Sequence, residues 1–331
     1  MSESPPIPGV SPHAIFPDGN GVKFLLERGS PPPWRQFRAS GFRGSTHVVS
    51  QHERDAIKAA FYLSRPLLIT GDPGVGKSSL AYAIAHELEL GKVLVWPITS
   101  RTILQHGLYS YDAVGRLNQV SLEQRPTWFA RRKPATESQE EGIGDYLALG
   151  PLGSALYDST ETKPRVLLVD ELDKSDVDLP NDLLHVLEEG GFIIPELSRL
   201  KVNSVQVPLH GGERSVEILH GEVQATAAPF ILMTSNGERE FPPAFLRRCL
   251  RLEIKRPTRE DLEQIVCQKL GQEAPVGEKL NRILDLFLSE QEQNRKLATD
   301  QLLNAAFLVA KNRISTDKEE LLRLVLQPLS S

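Results

Sequence analysis

The fold of this chain is decided by residues 66–78, which read Pro66-Leu67-Leu68-Ile69-Thr70-Gly71-Asp72-Pro73-Gly74-Val75-Gly76-Lys77-Ser78. The apolar run at 66–70 is typical of a buried parallel strand. The remainder fits the pattern GxxxxGK[ST], which average composition would produce by chance in a chain of this length about once in a hundred. A helical periodicity follows as far as Gly91, so the sequence predicts a strand, a glycine-rich loop and a helix in succession.

A glycine-rich loop between a strand and a helix is suited to holding phosphate groups. Its backbone N–H groups and the helix N-terminus carry fixed partial positive charge that faces the phosphate oxygens. Lys77 is expected to reach the β- and γ-phosphates of a nucleotide, and Ser78 to ligate Mg²⁺. The candidate cofactor-binding residues are Gly71, Asp72, Pro73, Gly74, Val75, Gly76, Lys77, Ser78 and Ser79.

Two acidic residues, Asp170 and Glu171, follow a second apolar run at 166–169. A phosphate-binding loop needs a carboxylate at the tip of a neighbouring strand to hold the water shell of the metal, and Asp170 is the candidate. Glu171 is expected to point elsewhere, because a strand turns successive side chains to opposite sides. That position suits a base or an orienting group for an attacking water.

Polar residues after a third apolar run, at 230–233, extend the candidate site. Asn236 could bind the γ-phosphate or the attacking water, while the alternative is an Asx-turn residue before Gly237. Further along, Arg247 and Arg248 form a pair of the kind usually found on solvated surfaces. A guanidinium aimed at a transferring phosphate is also the commonest transition-state clamp, so both arginines are candidates.

The pattern around these motifs predicts two folded parts behind an extended leader. Strands alternate with helices from 46 to 256, which is typical of an α/β domain with a largely parallel sheet. From Pro257 the strands stop and the pattern predicts a helical lid domain over 257–331, with helices at 259–270, 278–293, 299–311 and 317–326. Other features are a proline-rich leader at 1–45, a polar insertion at 125–145 and a β-hairpin at 202–219.

Composition narrows the functional classes. The chain has 331 residues and a formal net charge of −5, so no global positive field indicates a nucleic acid or an anionic membrane as partner. Cys249 and Cys267 stand apart, in segments expected to be packed, which argues against a zinc site or a disulfide framework and for a reducing compartment. No apolar window is long enough for a membrane span, and we therefore expect a cytoplasmic protein.

The order of these motifs resembles that of AAA+ ATPases over residues 50–312. Within that superfamily the chain looks most like the MoxR-type ATPases. The strings that carry this resemblance are Ser64-Arg65-Pro66-Leu67-Leu68-Ile69-Thr70-Gly71, Gly150-Pro151-Leu152, Leu187-Glu188-Glu189-Gly190 and Phe241-Pro242-Pro243-Ala244-Phe245-Leu246-Arg247-Arg248. The hairpin at 202–219 is similar to the insertion that these ATPases carry before their sensor strand.

The resemblance implies roles for particular residues. Asn236 would be sensor 1 and Arg248 the arginine finger given to the next subunit, with Arg247 as the fallback. The sequence departs from the family at sensor 2, where Asp300 stands near the expected arginine and either Lys296 or Arg295 would have to substitute. This departure puts the coupling between lid movement and hydrolysis in doubt.

The resemblance also implies cofactors and partners. The implied cofactors are ATP and Mg²⁺. The implied assembly is a homo-oligomeric ring, expected to be a hexamer, and the implied partner is a protein client that the ring remodels, such as a von Willebrand A domain protein. A second hypothesis, favoured by Asp300, is a slowly hydrolysing scaffold whose assembly is gated by nucleotide in signalling or defence. A third hypothesis is a nucleic-acid motor. The feature that favours it is the basic string Arg131-Arg132-Lys133. The aromatic stretch at 108–112 either faces a ring pore or packs in the core.

Overall fold

The computed structural model describes residues 31, 32, 34, 49–123, 142–212, 214–292, 297–311 and 319–326. The chain divides into two compact units, 1–42 and 43–331, and the account below concerns the second. Nearly all of the predicted leader, most of the insertion at 125–145 and the basic string at 131–133 lie outside the described residues. The domain boundaries at 45 and 256 stay predictions.

Helices and strands alternate through the first two thirds of the second unit. In chain order the described helices are α1 (Gln51–Leu63), α2 (Lys77–Glu87), α3 (Leu104–Leu108), α4 (Ala113–Glu123), α5 (Pro151–Asp158), α6 (Leu179–Glu189), α7 (Pro195–Ser198), α8 (Pro243–Arg248), α9 (Arg259–Leu270), α10 (Glu278–Glu292), α11 (Thr299–Ala310) and α12 (Glu319–Val325). The described strands are β1 (Leu67–Thr70), β2 (Leu94–Pro97), β3 (Tyr109–Tyr111), β4 (Leu147–Leu149), β5 (Val166–Asp170), β6 (Gly191–Ile193), β7 (Ser204–Pro208), β8 (Ser215–Leu219), β9 (Glu222–Gln224), β10 (Phe230–Ser235) and β11 (Leu250–Glu253).

The main sheet has five strands in the order β11-β1-β10-β5-β2, and every pair in it is parallel. All five strands are short, and the three central strands β1, β10 and β5 are rich in buried aliphatic residues, as expected for strands covered on both faces. The edge strand β11 instead alternates, with Arg251 and Glu253 exposed. In a parallel sheet every strand ends at the same edge. The loops after β1, β5 and β10 therefore meet at one edge of the sheet.

Side chains alternate between two cores, one on each face of the sheet. Leu67 and Ile69 of β1 pack with α1 and α2, while Leu68 between them packs with α5 and α6. The α1–α2 face also holds the stacked rings of Phe61 and Phe230, whose centroids are 3.8 Å apart. Burial of both faces explains why the apolar runs are continuous instead of alternating.

A second, antiparallel sheet packs on the α5–α6 side in the order β6-β9-β8-β7. It contains the predicted hairpin at 202–219 as β7 and β8, with Gly211 and Gly212 both at positive φ in the turn. The sequence did not predict β6 and β9, which are three residues long and too short for a period-two pattern to show. It also missed the β3–β4 pair.

The helical region behaves largely as the sequence predicts. The capping box at Thr258 and Asp261 is present, α9 spans the predicted 259–270, and α10 and α11 each end one residue before the expected point. The fourth helix is described only from Glu319 onward. Both cysteines lie in packed segments: Cys249 is itself buried, and Cys267 lies on the exposed side of α9, a helix that buries Leu262, Val266 and Leu270.

The helix after the glycine-rich loop ends earlier than predicted. It stops at Glu87 because Glu89 takes a left-handed φ of 53° and lets the N–H of Leu90 bind the carbonyl of Ala85 at 2.9 Å. Gly91 was expected to cap the helix and instead follows this turn. In the described part of the chain no helix has the length and apolar character needed to cross a bilayer.

Candidate functional site

The glycine-rich loop leaves β1 at the carboxyl edge of the main sheet and enters α2. Gly71, Gly74 and Gly76 have φ values of 150°, 79° and 99°, which side-chain-bearing residues rarely adopt. A Cβ on Gly74 would also lie 2.6 Å from the Cα of Ala298, and the N–H of Thr299 binds the Gly74 carbonyl at 3.3 Å. The loop is therefore held both by its own backbone conformation and by the start of α11.

Lys77 is buried at the first position of α2, with 7% of its surface exposed. Its Nζ donates to the carbonyls of Gly71 at 2.7 Å and Asp72 at 2.9 Å, and to Oδ1 of Asn236 at 2.7 Å. Burial lowers the pKa of Lys77, and the nearby carboxylates, of which Asp173 acts most strongly, oppose that shift. The structure thus brings the predicted lysine and asparagine into direct contact.

Ser78 and Asp170 also meet directly. The Ser78 hydroxyl donates to Oδ1 of Asp170 at 2.6 Å, and the hydroxyl of Thr234 donates to the same oxygen at 2.7 Å. A hydroxyl beside a carboxylate is a pair of hard oxygen ligands, which fits Mg²⁺ held chiefly by phosphates and water. Within the described ranges no group of three or more His, Cys, Asp or Glu side chains could hold a metal.

Glu171 lies outside the strand, so the alternation of strand side chains that the sequence prediction relied on does not apply to it. It follows the last residue of β5 and has a left-handed φ of 61°, so the turn of the backbone sets its direction. Its N–H binds Oγ1 of Thr234 at 2.8 Å, and its half-exposed carboxylate accepts a hydrogen bond from Lys174 at 2.7 Å. The carboxylate is therefore engaged by a lysine of its own turn.

Asp173 is a site residue that the sequence reasoning missed. It is 5% exposed, and its Oδ2 accepts the N–H groups of Asn236 at 2.8 Å and Glu238 at 3.1 Å. Its Oδ1 is buried and has no hydrogen-bond partner in the described structure. The sequence signal that could have identified it is a carboxylate two residues after the Asp-Glu pair, in the turn that follows β5 and lies beside the end of β10.

A second missed contact ties the loop to the chain ahead of the lid helices. Arg256 donates from Nε to Oδ2 of Asp72 at 2.6 Å, although both side chains are partly exposed. Asp300 lies exposed at the start of α11, close in sequence to the residues that touch the loop. Arg295 and Lys296, the proposed substitutes for sensor 2, lie outside the described residues.

Arg247 and Arg248 lie at the opposite edge of the main sheet from the glycine-rich loop. They end α8, just before β11 begins, and Leu250 of β11 is in register with Leu67 at the start of β1. The two arginines therefore lie beside the start of β1, whereas the glycine-rich loop follows its end. The four residues of β1 span about 13 Å between these two points. Both side chains are exposed, and Arg248 forms an ion pair with Glu188 on α6.

In the stretch at 108–112, Leu108 and Tyr109 are buried, Tyr111 is half-buried, and Ser110 and Asp112 are exposed. Tyr109 is 6% exposed and stacks with Phe192, with ring centroids 6.4 Å apart. Its hydroxyl donates to Glu196 at 2.9 Å, and burial together with this carboxylate raises the pKa of Tyr109 to about 12. Of the two interpretations of this stretch, core packing agrees with the structure.

Comparison with known families places the chain. The family described as the AAA domain, dynein-related subfamily, matches residues 66–249, which is more than half of the 331 residues. The chain belongs to this AAA domain family. The match runs from the start of β1 to the end of α8 and so includes the glycine-rich loop, Asp170, Glu171, Asn236 and both arginines. It confirms the predicted fold class, a P-loop α/β domain with a central parallel sheet, followed here by a helical region.

Solved structures of two bacterial proteins resemble this AAA domain protein at low identity. One is NtrX from Brucella abortus in complex with ADP, with 14% identity and a TM-score of 0.40 over 85% of this chain and 54% of that chain. The other is a single-substitution variant of RuvB from Thermotoga maritima, with 14% identity and a TM-score of 0.44 over 86% of this chain and 73% of that chain. The chain thus spans about half the length of NtrX. No curated protein matches it.

Proposed function

We propose that this AAA domain protein binds ATP with Mg²⁺ and hydrolyses it to ADP and phosphate. The observation that carries the proposal is the meeting of two residue pairs at one sheet edge. Lys77 lies 2.7 Å from Asn236, and Ser78 lies 2.6 Å from Asp170, all beside a loop that only glycine can build. These are a cation for phosphates, an amide at the γ-phosphate position and two oxygen ligands for the metal.

Each residue has a defined role in the proposed reaction. Lys77 exchanges its bonds to loop carbonyls for phosphate oxygens, while Ser78 and Asp170 hold Mg²⁺, Asp170 through water. Bound Mg²⁺ supplies charge neutralisation on the phosphates. Asn236 positions the attacking water, which loses a proton to Glu171 as its oxygen bonds to the γ-phosphorus and the bond to the bridging oxygen breaks.

The arginine that completes the site comes from another copy of the chain. Arg248 and its neighbour Arg247 stand at the sheet edge opposite their own loop, at a separation greater than one arginine side chain spans. Closed repetition of such a head-to-tail contact gives a ring. We therefore propose a homo-oligomeric ring, hexameric as in the AAA+ proteins that the sequence resembles, with Arg248 as the finger and Arg247 as the fallback.

The proposed subfamily rests on the sequence strings that resemble MoxR-type ATPases. We propose a MoxR-type ATPase in the cytoplasm that uses ATP to remodel or activate a partner protein, such as a von Willebrand A domain protein. The net charge of −5 speaks against a nucleic-acid partner.

Steady-state ATP turnover and particle size test this proposal together. The purified protein is measured with and without ATP, and with and without a co-purified protein partner. Turnover above about 1 per second that a protein partner stimulates supports the remodeller. Absence of ATP binding by the unmodified protein contradicts the proposal as a whole.

A second candidate is a scaffold whose assembly depends on nucleotide and whose hydrolysis is slow. Two features favour it: the Glu171 carboxylate is held by Lys174, and Asp300 in the first turn of α11 stands near the place where the resemblance implies an arginine. Assembly that depends on ATP, with turnover far below about 1 per second at every partner concentration, supports the scaffold.

A further inference from the structure

Arg65 lies between α1 and β1, and its backbone position is fixed by the way α1 ends. Ser64 takes a left-handed φ of 49°, its N–H binds the carbonyl of Phe61 at 3.2 Å, and the N–H of Arg65 binds the carbonyl of Ala60 at 3.1 Å. These two bonds form a Schellman motif, which satisfies the last carbonyls of a helix. Pro66 follows and restricts the backbone of Arg65 further. The guanidinium therefore projects from a well-defined point.

That guanidinium contacts the end of α8. Its Nε donates to the carbonyl of Arg248 at 3.1 Å, and its Nη2 donates to the carbonyl of Arg247. The last carbonyls of a helix have no partner within the helix and carry partial negative charge, so a cation placed there is favourable. A planar guanidinium can bind two adjacent carbonyls at once, which fixes both the distance and the rotation of the helix end.

The other end of α8 is anchored by apolar packing. Phe245 is fully buried in the core, and its ring lies 5.3 Å from that of Phe241. Arg247 and Arg248 follow this anchor and are exposed. Among the described elements outside α8, the Arg248 side chain contacts Glu188 of α6, with which it forms an ion pair.

Directly after α8, Cys249 is buried in the core and the N–H of Leu250 binds the carbonyl of Pro66 at 2.9 Å. To these anchors Arg65 adds a side-chain contact to the last two carbonyls of α8, the carbonyls of the two arginines themselves.

We infer that Arg65 is a positioning residue for the arginine finger, acting through the backbone of α8 and never touching nucleotide itself. The inference rests on the proposed function, because it presumes that Arg248 or Arg247 works on the nucleotide of a neighbouring copy. It assigns Arg65 to the reaction at the neighbour's site, although Arg65 stands two residues before β1 of its own nucleotide-binding loop. A displacement of a catalytic group by about 1 Å can cost a factor of about 10² in rate.

The first measurement compares single variants. Arg65→Ala is expected to lower ATP turnover by about 10- to 100-fold and to change the dissociation constant for ATP by less than about 3-fold. Arg65→Lys is expected to lie in between, because an ammonium keeps the charge but does not hold two carbonyls in a fixed fork. Arg251→Ala is the matched control, since it removes an exposed arginine from β11 directly after the same helix. It should leave turnover unchanged.

Mixed assemblies of Arg65→Ala with a second impaired variant separate the finger role from a role in the nearby loop. With Lys77→Ala, the Arg65→Ala subunit contributes an intact loop that faces an intact finger, so activity should recover. With Arg248→Ala, neither interface combines an intact loop with a well-placed finger, so activity should stay at the level of Arg65→Ala alone. The opposite result, recovery with Arg248→Ala and none with Lys77→Ala, means that Arg65 supports its own loop and overturns the inference.

The control mixture distinguishes this failure from failure of the proposed function. Lys77→Ala mixed with Arg248→Ala or, for the fallback finger, with Arg247→Ala should recover activity if any finger acts between copies. If both control mixtures stay inactive although mixed particles are verified, action between copies is wrong and the inference falls with it. If a control mixture recovers and Arg65→Ala with Lys77→Ala does not, the inference alone is wrong. Arg65→Lys is carried through the same mixtures, so that a poorly folded alanine variant does not decide the result.

Discussion

At the residue scale, two charged side chains, Lys77 and Asp173, hold the candidate site together. Lys77 uses all three of its ammonium donors, on two loop carbonyls and on Asn236. Asp173 holds the backbone that follows β10, and so places Asn236 where the lysine reaches it. Under the proposed function, phosphate oxygens would have to replace some of these contacts of Lys77.

The first prediction contrasts Lys77→Ala with Glu171→Gln. The alanine variant should weaken ATP binding by at least about 10-fold, because a charge-assisted contact to the phosphates is lost. The glutamine variant should keep ATP binding and lose about 10²- to 10⁴-fold in turnover, because only the proton acceptor for water is removed. Calorimetric titration and single-turnover kinetics measure the two effects. Equal loss of ATP binding in both variants would reject the role given to Glu171.

A second prediction concerns Asp173. Asp173→Ala leaves two partly buried N–H groups without their acceptor and should reduce the free energy of unfolding by about 1 kcal/mol. Turnover should fall, because Asn236 is no longer held. Asp173→Asn is the matched control, since its amide oxygen can still accept both N–H groups, and it should retain most of the stability. Denaturant unfolding and ATP turnover check both variants, and similar losses of stability in the two would contradict the role of the acceptor oxygen.

At the scale of elements, the contact between the glycine-rich loop and α11 joins the nucleotide site to the lid helices. Ala298 and Thr299 lie against Gly74, and Arg256 ahead of α9 binds Asp72. The start of α11 and the residue just ahead of the helical region thus both touch the loop. Under the proposed function, these two contacts link the nucleotide loop to the helical region.

A third prediction tests this contact with two glycine variants of similar backbone strain. Gly74→Ala adds a methyl group that overlaps Ala298 at a φ of 79°, whereas Gly277→Ala adds one into open space at a φ of 63°. Each should lose about 1 kcal/mol from its left-handed φ. Only Gly74→Ala should lose further stability and weaken ATP binding. Thermal unfolding and nucleotide titration check this, and matching values for both variants would show that the loop does not depend on α11.

At the scale of the whole molecule, the parallel sheet separates the loop and the arginines that the proposed reaction brings together. All strands run the same way, so the carboxyl ends carry Lys77, Asp170 and Asn236 while the residues before β11 lie at the other edge. One copy of the chain carries both the phosphate-binding residues and the arginines, but on opposite edges of the sheet, so the arginines cannot reach the loop of their own chain. Assembly would therefore control hydrolysis directly.

The fourth prediction follows from that separation. Arg248→Ala should leave ATP binding by the monomer nearly intact and lower hydrolysis by about 10³- to 10⁵-fold, because the finger acts on the transition state of another copy. Mixing it with Lys77→Ala protein should restore part of the activity, since one kind of interface then has an intact loop and an intact finger. Recovery with an Arg247→Ala mixture but not with Arg248→Ala would transfer the role to Arg247.

The sequence by itself determined the fold class and predicted the loop and strand-end residues of the candidate site, but not Asp173. Burial on both faces forces continuous apolar strands, and only glycine tolerates the loop at Gly74 and Gly76, so these features are written as local patterns. The tertiary structure decided what no local pattern contains: the bonds of Asp173 to the backbone after β10, the packing of Ala298 on Gly74, and the hold of Arg65 on α8. These contacts join residues far apart in the chain, and their geometry depends on strand order and register, which spacing along the sequence does not encode.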